Sequence, residues 1–451
     1  MSSSEKLSEY IQSIRFDDLP EAVILKAKNL ILDSIGCILG AYKTDVGTIL
    51  VGLAKQFGGK PEATIIGDGE KVSCIHAVFA NSGMCNVLDY DDIYYGHGES
   101  TVIPPALAIA EKTGASGKDV ITAVVLGYEI HARIGAYIHP QFLERRGKTL
   151  GLGTNQTFDA VAVASKLLKL DKEETINALG IAGSCAPVAS VLKTVINPRG
   201  ITMVKNNFCF AAQTGVMSAL LAEQGYTGPY DILDGDTGFW RMHGVEKCNF
   251  DKITEDLGKD YRILKDGFKP YPSNGLIHPA LDATIAIMKE YCPRKEDIEE
   301  IVIETNSQLG FPTYQSPDPG DLYNQEFSIP YVISAAITKP IPGLDWYKKA
   351  TSADPVRRDI AHKVKVKITE EADAIYREKN TMVATVKMKV KDKVYVRSGK
   401  MPRDNPVTSQ ELNKKFMSLA KSVVAHPELV SEKVNHLEGL SNLNELVDLL
   451  H

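Results

Sequence analysis

A change in hydrophobic pattern near residue 266 constrains the fold of this chain more than any other feature. Upstream of it, apolar residues recur at helical spacing in one segment after another, beginning with residues 20–42, which open on Pro20. Residues 117–138 are apolar on most sides, as in a helix buried among helices. Segments 159–170, 173–184 and 210–228 are rich in Ala, Gly and Ser, which let helix backbones approach closely. The first 265 residues are therefore predicted to form a compact helical bundle.

Downstream of residue 266 the pattern indicates a mixture of helices and strands. After one helix from Ala280 to Tyr291, the β-branched segment 299–307 and the alternating segment 362–370 each predict a strand. Residues 380–399 predict a hairpin that turns at "KDK". Helical patterns return in 408–424 and 432–450. We therefore predict a mainly α protein, with a large helical domain formed by residues 1–265 and 406–451 and a smaller α+β lid domain formed by residues 266–405.

The stretch "NVLDYDDIYYGHGES", residues 86–100, places Asp89, Asp91 and Asp92 within four residues and His97 shortly after them. A metal site, an acid/base site and a solvated loop all remain open. The spacing lacks the regularity of a calcium loop, which disfavours metal. The apolar segments on both sides indicate a loop held rigid between buried elements. If the loop is buried, repulsion between adjacent carboxylates should raise the pKa of at least one of them, which suits proton transfer.

Three other segments carry candidate functional residues. Lys205 precedes a small-residue helix, although most such lysines are simply solvated. Lys269 and His278 lie in "GFKPYPSNGLIHPALDA", a proline-stiffened segment at the predicted domain boundary, where clefts often form. A stiff linker is the alternative. Tyr331, in "FSIPYVISAAI", could donate to a developing oxyanion or make a structural hydrogen bond.

Composition excludes several other classes of protein. The net charge of −6 is spread along the chain without a basic stripe, which argues against nucleic acid as a partner. The seven cysteines lack CxxC spacing, which is typical of reduced thiols in a cytosolic protein and disfavours a cysteine-ligated metal. We find neither a signal-peptide pattern nor an apolar run long enough for a membrane span, so a soluble, cytoplasmic protein is expected. Dinucleotide and nucleophile-elbow motifs are also absent, which disfavours hydride transfer and serine hydrolysis.

Taken together, these segments resemble the MmgE/PrpD superfamily of 2-methylcitrate dehydratases and cis-aconitate decarboxylases. The resemblance runs nearly end to end through "LDYDD…H…PPALAIAE", "GYEIHARIG", "ASKLLKL", "ALGIAGS", "LLAEQGYTGPYDILDGDTGF" and "FKPYPSNGLIHPALDA". It implies a homodimer with its active site between the helical domain and the lid. It also implies action on small di- or tricarboxylates without a metal or organic cofactor, by dehydration, decarboxylation or epimerisation.

The resemblance further implies the site residues. Asp89 and His97 match the acid and the histidine of the first family motif, and Lys205, Lys269 and Tyr331 match further site residues. His278 completes the "KPYP…H" motif, and Asp92 is a further substrate-binding candidate. In this hypothesis the two lysines hold substrate carboxylates and stabilise an aci-carboxylate intermediate, while His97 moves the proton. Asp89 would orient or protonate a partner, and Tyr331 would be a second acid.

Three departures from the family pattern bear on the reaction. Ile93 replaces the threonine that often follows "DD", and "HGES" replaces "HPS" or "HPG". The family histidine motif corresponds here to "RRGKTLGLGTNQTF", which has no histidine, so an acid/base group is either missing or replaced by Lys148 or Asn155. The leading prediction is a lyase resembling 2-methylcitrate dehydratase. An epimerase or isomerase of a dicarboxylate, such as iminodisuccinate epimerase, and a non-catalytic carboxylate-binding protein remain as alternatives.

Overall fold

The structure is a computed structural model that describes residues 1–138, 153–188, 190–197, 199–245, 247–379, 381–401 and 406–451. Its architecture is mainly α with a small α+β part, which confirms the predicted fold class. In chain order the helices of the first part are α1 (Ser3–Ser13), α2 (Glu21–Ala41), α3 (Asp45–Phe57), α4 (Cys74–Cys85), α5 (Gly98–Thr113), α6 (Gly117–Ile138), α7 (Gly153–Leu168), α8 (Lys172–Cys185), α9 (Val191–Thr194), α10 (Phe208–Glu223), α11 (Phe239–Met242) and α12 (Asp251–Thr254).

The remaining helices alternate with the strands of the second part before closing the chain. They are α13 (His278–Tyr291), α14 (Leu322–Phe327), α15 (Ile329–Thr338), α16 (Lys349–Ala353), α17 (Pro355–His362), α18 (Glu370–Lys379), α19 (Ser409–Ala420), α20 (Pro427–Asn435) and α21 (Asn444–Val447). None of the described helices is both long enough and apolar enough to cross a membrane.

Close packing of small residues builds the helical part, as the sequence predicts. A side chain added at Gly215 in α10 would lie 2.4 Å from the carbonyl oxygen of Thr157 in α7, so only glycine permits this approach. Helix α6 is buried along almost its whole length, from Val120 to Tyr137. The acidic loop connects α4 and α5, two helices of this part that pack against each other.

The four-stranded sheet contains β3 (Ile298–Thr305), β4 (Val364–Ile368), β5 (Val383–Val390) and β6 (Lys393–Lys400) in the order β4-β3-β5-β6. β3 pairs in parallel with β4, and the other neighbours are antiparallel. The hairpin turns at Lys391 and Asp392, as predicted. Along β5, Ala384, Val386 and Met388 are buried while the residues between them are less covered, which explains the alternating sequence.

Two observations concern the limits of the helical part. A short hairpin of β1 (Ala63–Thr64) and β2 (Lys71–Val72) interrupts it. The prediction of a purely helical part is therefore wrong in this segment. Each strand is only two residues long, too short to give a recognisable alternation in sequence.

Helix α19 packs against α2 near the start of the chain. The domain boundaries at residues 266 and 405 stay a prediction.

Candidate active site

The acidic loop lies between α4 and α5 and is buried. Asp89 is 1% exposed, and Asp91 and Asp92 are fully covered, so the interpretation as a solvated loop is wrong. Asp89 has a φ of 44°, in the left-handed region that aspartate adopts uncommonly. Backbone strain of this kind is maintained only where the surroundings determine the conformation, and it is frequent at functional sites.

Two buried ammonium groups lie at the carboxylate of Asp89. Lys269 contacts this carboxylate directly and also donates a hydrogen bond of 3.0 Å to the Asp89 carbonyl oxygen. Lys205 Nζ lies 3.9 Å from Asp89 Oδ2. Burial raises the pKa of Asp89, but Lys205 and Lys269 outweigh burial and hold the pKa below its usual value. Asp89 is therefore ionised at neutral pH.

His97 is the third group at Asp89. Its Nε2 lies 3.8 Å from Asp89 Oδ1, and its Nδ1 lies 3.0 Å from Asp91 Oδ1. Asp91 also accepts hydrogen bonds of 2.8 Å from Asn86 Nδ2 and Ser100 Oγ. Burial raises the pKa of Asp91, but His97 outweighs burial, and the pKa lies below its usual value. An ionised Asp91 accepts the hydrogen on Nδ1, and in the neutral form of the imidazole this places the lone pair on Nε2.

A glutamine from α7 fixes the backbone of His97. Gln156 Nε2 donates to the carbonyl oxygen of His97 at 2.7 Å, and Gln156 Oε1 accepts from the His97 N–H at 3.2 Å. Both groups are buried. The imidazole is therefore positioned through its ring and through its backbone.

Lys205 joins the helical part to the α+β part. It lies in the turn that precedes α10, as the sequence predicts, and its Nζ donates to Glu326 Oε2 at 2.9 Å. Glu326 belongs to α14 and is fully buried. Burial raises the pKa of Glu326 to about 8, although Lys205 acts in the opposite direction. Among the described residues, Glu326 Oε1 has no hydrogen-bond partner.

A cavity of about 200 Å³ adjoins this arrangement. Lys205, Asn86 and Asn206 supply polar groups to its lining, while Phe208 and Tyr323 are among its apolar lining residues. Asn206 Nδ2 donates to Asn86 Oδ1 at 2.8 Å. The cavity is smaller than the roughly 300 Å³ lower limit of pockets for drug-sized ligands, and Lys205 is the member of the Asp89 group that reaches its lining.

The segment that carries Lys269 is fastened to the acidic loop. The N–H of Ile93 donates to the carbonyl oxygen of Gly267 at 2.8 Å, and Tyr90 Oη donates to that of Pro270 at 3.1 Å. A side chain added at Gly275 would lie 2.6 Å from Ile93 Cδ1, so glycine leaves room for this isoleucine. The prolines restrict the backbone of the segment, and these hydrogen bonds hold it against the acidic loop, where Lys269 contacts Asp89.

The structure places Tyr331 and Asp92 outside this group of contacts. Tyr331 Oη lies 2.8 Å from the carbonyl oxygen of Trp346 and 2.7 Å from Ser352 Oγ. Asp92 accepts hydrogen bonds from the Glu99 N–H at 3.1 Å and from Tyr128 Oη at 2.7 Å. Both residues are thus engaged by groups other than the two lysines.

His278 lies close to Lys269 but in an uncharged state. Its Nε2 lies 3.2 Å from the carbonyl oxygen of Ser273, and the side chain is fully buried. Burial, with a further contribution from Lys269, lowers the pKa of His278 to about 3. The imidazole is neutral at pH 7 and acts there as a hydrogen-bonding group.

The candidates to replace the absent family histidine are only partly described. Lys148 lies outside the described residues. Asn155 lies in the first turn of α7 and is buried. Its assignment as the replacement stays a prediction.

Two groups of described residues have metal-ligating atoms within 4.8 Å of one another: Asp89, Asp91 and His97, and separately Asp33, Cys37 and Glu99. Each group already faces an ammonium group. Lys269 contacts Asp89, and Lys415 Nζ lies 2.7 Å from Asp33 Oδ1. A divalent cation in either group would be repelled by that lysine, so the donor sets fit a metal poorly.

Sequence analysis missed several residues that the structure brings to the site. Asp91 belongs to the acidic motif, but its role as the partner of Nδ1 depends on ring geometry. Glu326 and Gln156 are far from residues 86–100 along the chain, and no local pattern connects them. Glu326 directly precedes "FSIPY", and this proximity to a candidate segment was the only available signal.

Comparison with known proteins connects this geometry to a family. The family model of the MmgE/PrpD N-terminal domain matches residues 5–249, and that of the MmgE/PrpD C-terminal domain matches residues 271–437. The chain is 24% identical over 478 residues to cis-aconitate decarboxylase from Aspergillus terreus, covering 99% of this chain and 95% of the relative.

Two other relatives extend over similar lengths. The cis-aconitate decarboxylase-like protein oryM of Aspergillus oryzae is 23% identical, with 99% of this chain and 96% of the relative covered. Cis-aconitate decarboxylase from Homo sapiens is 23% identical, with 100% and 94% covered. These relatives support the prediction of an enzyme of the lyase type. Because the two domain models together match most of its length, the chain belongs to the MmgE/PrpD family.

Proposed function

We propose that this protein is a cofactor-independent lyase that acts on a small di- or tricarboxylate by removing a proton next to a carboxylate. The observation that carries the proposal is the arrangement of two buried ammonium groups, Lys205 and Lys269, and the His97 imidazole around Asp89. The relatives named as decarboxylases support lyase chemistry. Their low identity leaves the substrate of this chain to be determined.

The charges suit an anionic substrate. Removing a proton next to a carboxylate places a second negative charge on that carboxylate, as an aci-carboxylate. Two ammonium groups in a water-poor site stabilise this charge far more than water would. In the structure Asp89 and Glu326 engage these ammonium groups, so a substrate carboxylate would replace part of those contacts.

His97 is the proposed base. Nδ1 lies 3.0 Å from Asp91 Oδ1 and Nε2 lies 3.8 Å from Asp89 Oδ1, so the neutral imidazole with its hydrogen on Nδ1 has its basic lone pair on Nε2. Asp91 also stabilises the imidazolium that forms when Nε2 accepts a proton. Gln156 fixes the backbone, so the nitrogen has a defined position relative to the lysines.

A second candidate function is epimerisation of a dicarboxylate. The observation that favours it is the absence of the family histidine from residues 147–156. Epimerisation needs proton removal and return at carbon, whereas elimination also needs a group that protonates the leaving hydroxyl. The non-catalytic alternative would retain carboxylate binding alone.

Proton NMR in deuterated water with a panel of di- and tricarboxylates distinguishes these functions. Elimination or decarboxylation product from wild type is expected, and His97→Gln should reduce turnover by about 10²–10⁴-fold because general-base catalysis contributes that much. Gln156→Leu is expected to cost less, since it affects His97 only indirectly. Deuterium incorporation without a product would instead indicate an epimerase, and absence of both would indicate binding only.

The homodimer and the cytoplasmic location implied at the outset stay predictions. Light scattering after size-exclusion chromatography measures the first directly. A monomer that retains full activity at nanomolar concentration would contradict it.

A further inference from the structure

We infer that Glu326 is a catalytic acid of this site, the group that protonates the hydroxyl leaving the substrate. This inference rests on the proposed lyase function and supplies the proton donor that elimination requires. Neither the family comparison nor the sequence motifs assign a role to Glu326.

The first observation is the bonding of the Glu326 carboxyl group. Oε2 accepts from Lys205 at 2.9 Å, whereas Oε1 has no hydrogen-bond partner among the described residues and is buried. A buried ionised carboxylate with one bare oxygen is costly. A protonated carboxyl group avoids this cost and holds a hydrogen ready for an incoming acceptor.

The second observation is the position of Glu326 relative to the proposed base. Lys205 Nζ contacts Glu326 and lies 3.9 Å from Asp89 Oδ2, while His97 Nε2 lies 3.8 Å from Asp89 Oδ1. Glu326 and His97 therefore belong to one connected group of side chains. They enter it from different parts of the chain, α14 and the loop before α5.

The third observation is the charge balance of the site. Asp89 and Asp91 are ionised, and the ammonium groups of Lys205 and Lys269 lie in the same group of contacts as these two carboxylates. An ionised Glu326 would add a third carboxylate to these two lysines, and this extra negative charge would oppose a dicarboxylate. Substrate binding therefore favours protonated Glu326.

The surroundings of Glu326 support the same state. Asp89 and burial raise its pKa, and Lys205 and Lys269 lower it. Tyr323 and Tyr347 also interact electrostatically with Glu326, and burial raises the pKa of both phenols further above pH 7. The two lysines thus do not fully offset the effect of burial on the pKa of Glu326.

In the proposed step His97 takes one proton from the substrate and Glu326 gives one proton to it. His97 Nε2 takes the hydrogen on the carbon next to the substrate carboxylate, and the electron pair of that C–H bond enters the aci-carboxylate. Collapse of this intermediate forms the carbon–carbon double bond and breaks the C–O bond. The leaving hydroxyl takes the proton of Glu326 and departs as water. The Glu326 carboxylate then pairs with Lys205, and the proton held by His97 returns to solvent as Glu326 is protonated again.

Glu326→Gln tests the inference, because glutamine keeps the shape and can still accept from Lys205 but cannot give up a proton. We expect the elimination rate to fall by about 10²-fold or more. Exchange of the substrate C–H with deuterated water should continue, since His97 is intact. His97→Gln should lose both exchange and elimination.

Glu99→Gln is the matched control. Glu99 is also a fully buried glutamate with unpartnered oxygens, but it has no contact with Lys205 or Lys269 in the described structure. This control should retain elimination. Full elimination by Glu326→Gln, or loss of exchange together with elimination, would overturn the inference.

A second measurement is independent of turnover. The infrared difference spectrum between wild type and Glu326→Gln at pH 7 should contain the C=O band of a protonated carboxyl group. A carboxylate band alone would overturn the inference, even if the enzyme is active. If wild type shows neither exchange nor product with any carboxylate, the proposed function fails, while the infrared result still reports on Glu326.

Discussion

Two neighbouring groups of buried acidic and basic side chains differ in the protonation of their carboxyl groups. The front cluster contains Asp89, Asp91, His97, Lys205 and Lys269. The rear cluster adjoins it, since Lys415 also donates to the carbonyl oxygen of Lys269, and contains Asp33, Asp92, Glu99, Asp266 and Lys415.

In the front cluster, Lys205 and Lys269 hold the pKa of Asp89 below its usual value, and His97 does the same for Asp91. In the rear cluster, Lys415 Nζ lies 2.7 Å from Asp33 Oδ1. Among the described residues, no ammonium group directly contacts the carboxyl oxygens of Asp92, Glu99 or Asp266. Burial raises the pKa of Asp92 and Glu99 well above the usual values and that of Asp266 to about 7. Acids of one loop can therefore be either charged or protonated, depending on whether nearby cations outweigh burial. Contact alone is not sufficient, because the pKa of Asp33 is raised by burial although Lys415 contacts it.

The largest expected effect comes from removing one lysine from each cluster. Lys269→Met should reduce kcat/KM by about 10²–10³-fold, because a charge that stabilises the intermediate is lost. Lys415→Met should mainly lower the free energy of unfolding, by about 3 kcal/mol, because Asp33 is left buried without its partner. Steady-state kinetics and urea unfolding of both variants measure the two effects. Equal activity losses in the folded fractions would remove the functional distinction between the clusters.

A smaller effect concerns the pH dependence of stability. The pKa of Asp89 is lowered in the folded protein, so this residue contributes stability above the unfolded pKa of 3.8, and the contribution is lost as pH falls. The pKa of Glu99 is raised, so its contribution is present below the unfolded pKa of 4.5 and is lost as pH rises. Relative to wild type, Asp89→Asn should therefore become less stable as pH rises to about 5 and then keep a constant deficit, whereas Glu99→Gln should become more stable from about pH 5 upward.

Urea unfolding of wild type and the two variants from pH 3 to pH 8 measures how each difference in stability changes with pH. We expect differences of roughly 1–3 kcal/mol at pH 8, of opposite sign. Slopes of the same sign would show that the two clusters do not differ in protonation.

The smallest expected effect is that of metal removal. Each cluster already contains an ammonium group where its potential metal ligands converge, so dialysis against a chelator should leave kcat and the melting temperature unchanged. Re-addition of Mg²⁺, Mn²⁺ or Zn²⁺ serves as the control. A loss of activity that one of these ions restores would replace the ammonium-based account of the front cluster.

The sequence predicts the fold better than it predicts the site. Periodicity reveals many of the long helices and the four strands of the larger sheet, because each depends on a local pattern such as the alternation in β5. It does not reveal short helices such as Val191–Thr194 and Asp251–Thr254. It misses β1 and β2, whose two-residue strands have no period to detect. The motifs lead to Asp89, His97, Lys205 and Lys269, which the structure brings together.

The rest of the site depends on contacts between distant segments. Glu326 meets Lys205 across 121 residues, and Lys415 meets Asp33 across 382 residues. No local pattern contains such pairings. Tyr331, chosen from its motif, has its hydroxyl group bound to Trp346 and Ser352, which only the packing around α15 reveals.

The most direct test is a crystal structure of the protein with a bound dicarboxylate that reacts slowly or not at all. The account predicts one ligand carboxylate within hydrogen-bonding distance of both Lys205 Nζ and Lys269 Nζ, with the adjacent carbon facing His97 Nε2. A ligand bound elsewhere, with Lys269 still paired to Asp89 and Lys205 to Glu326, would contradict it.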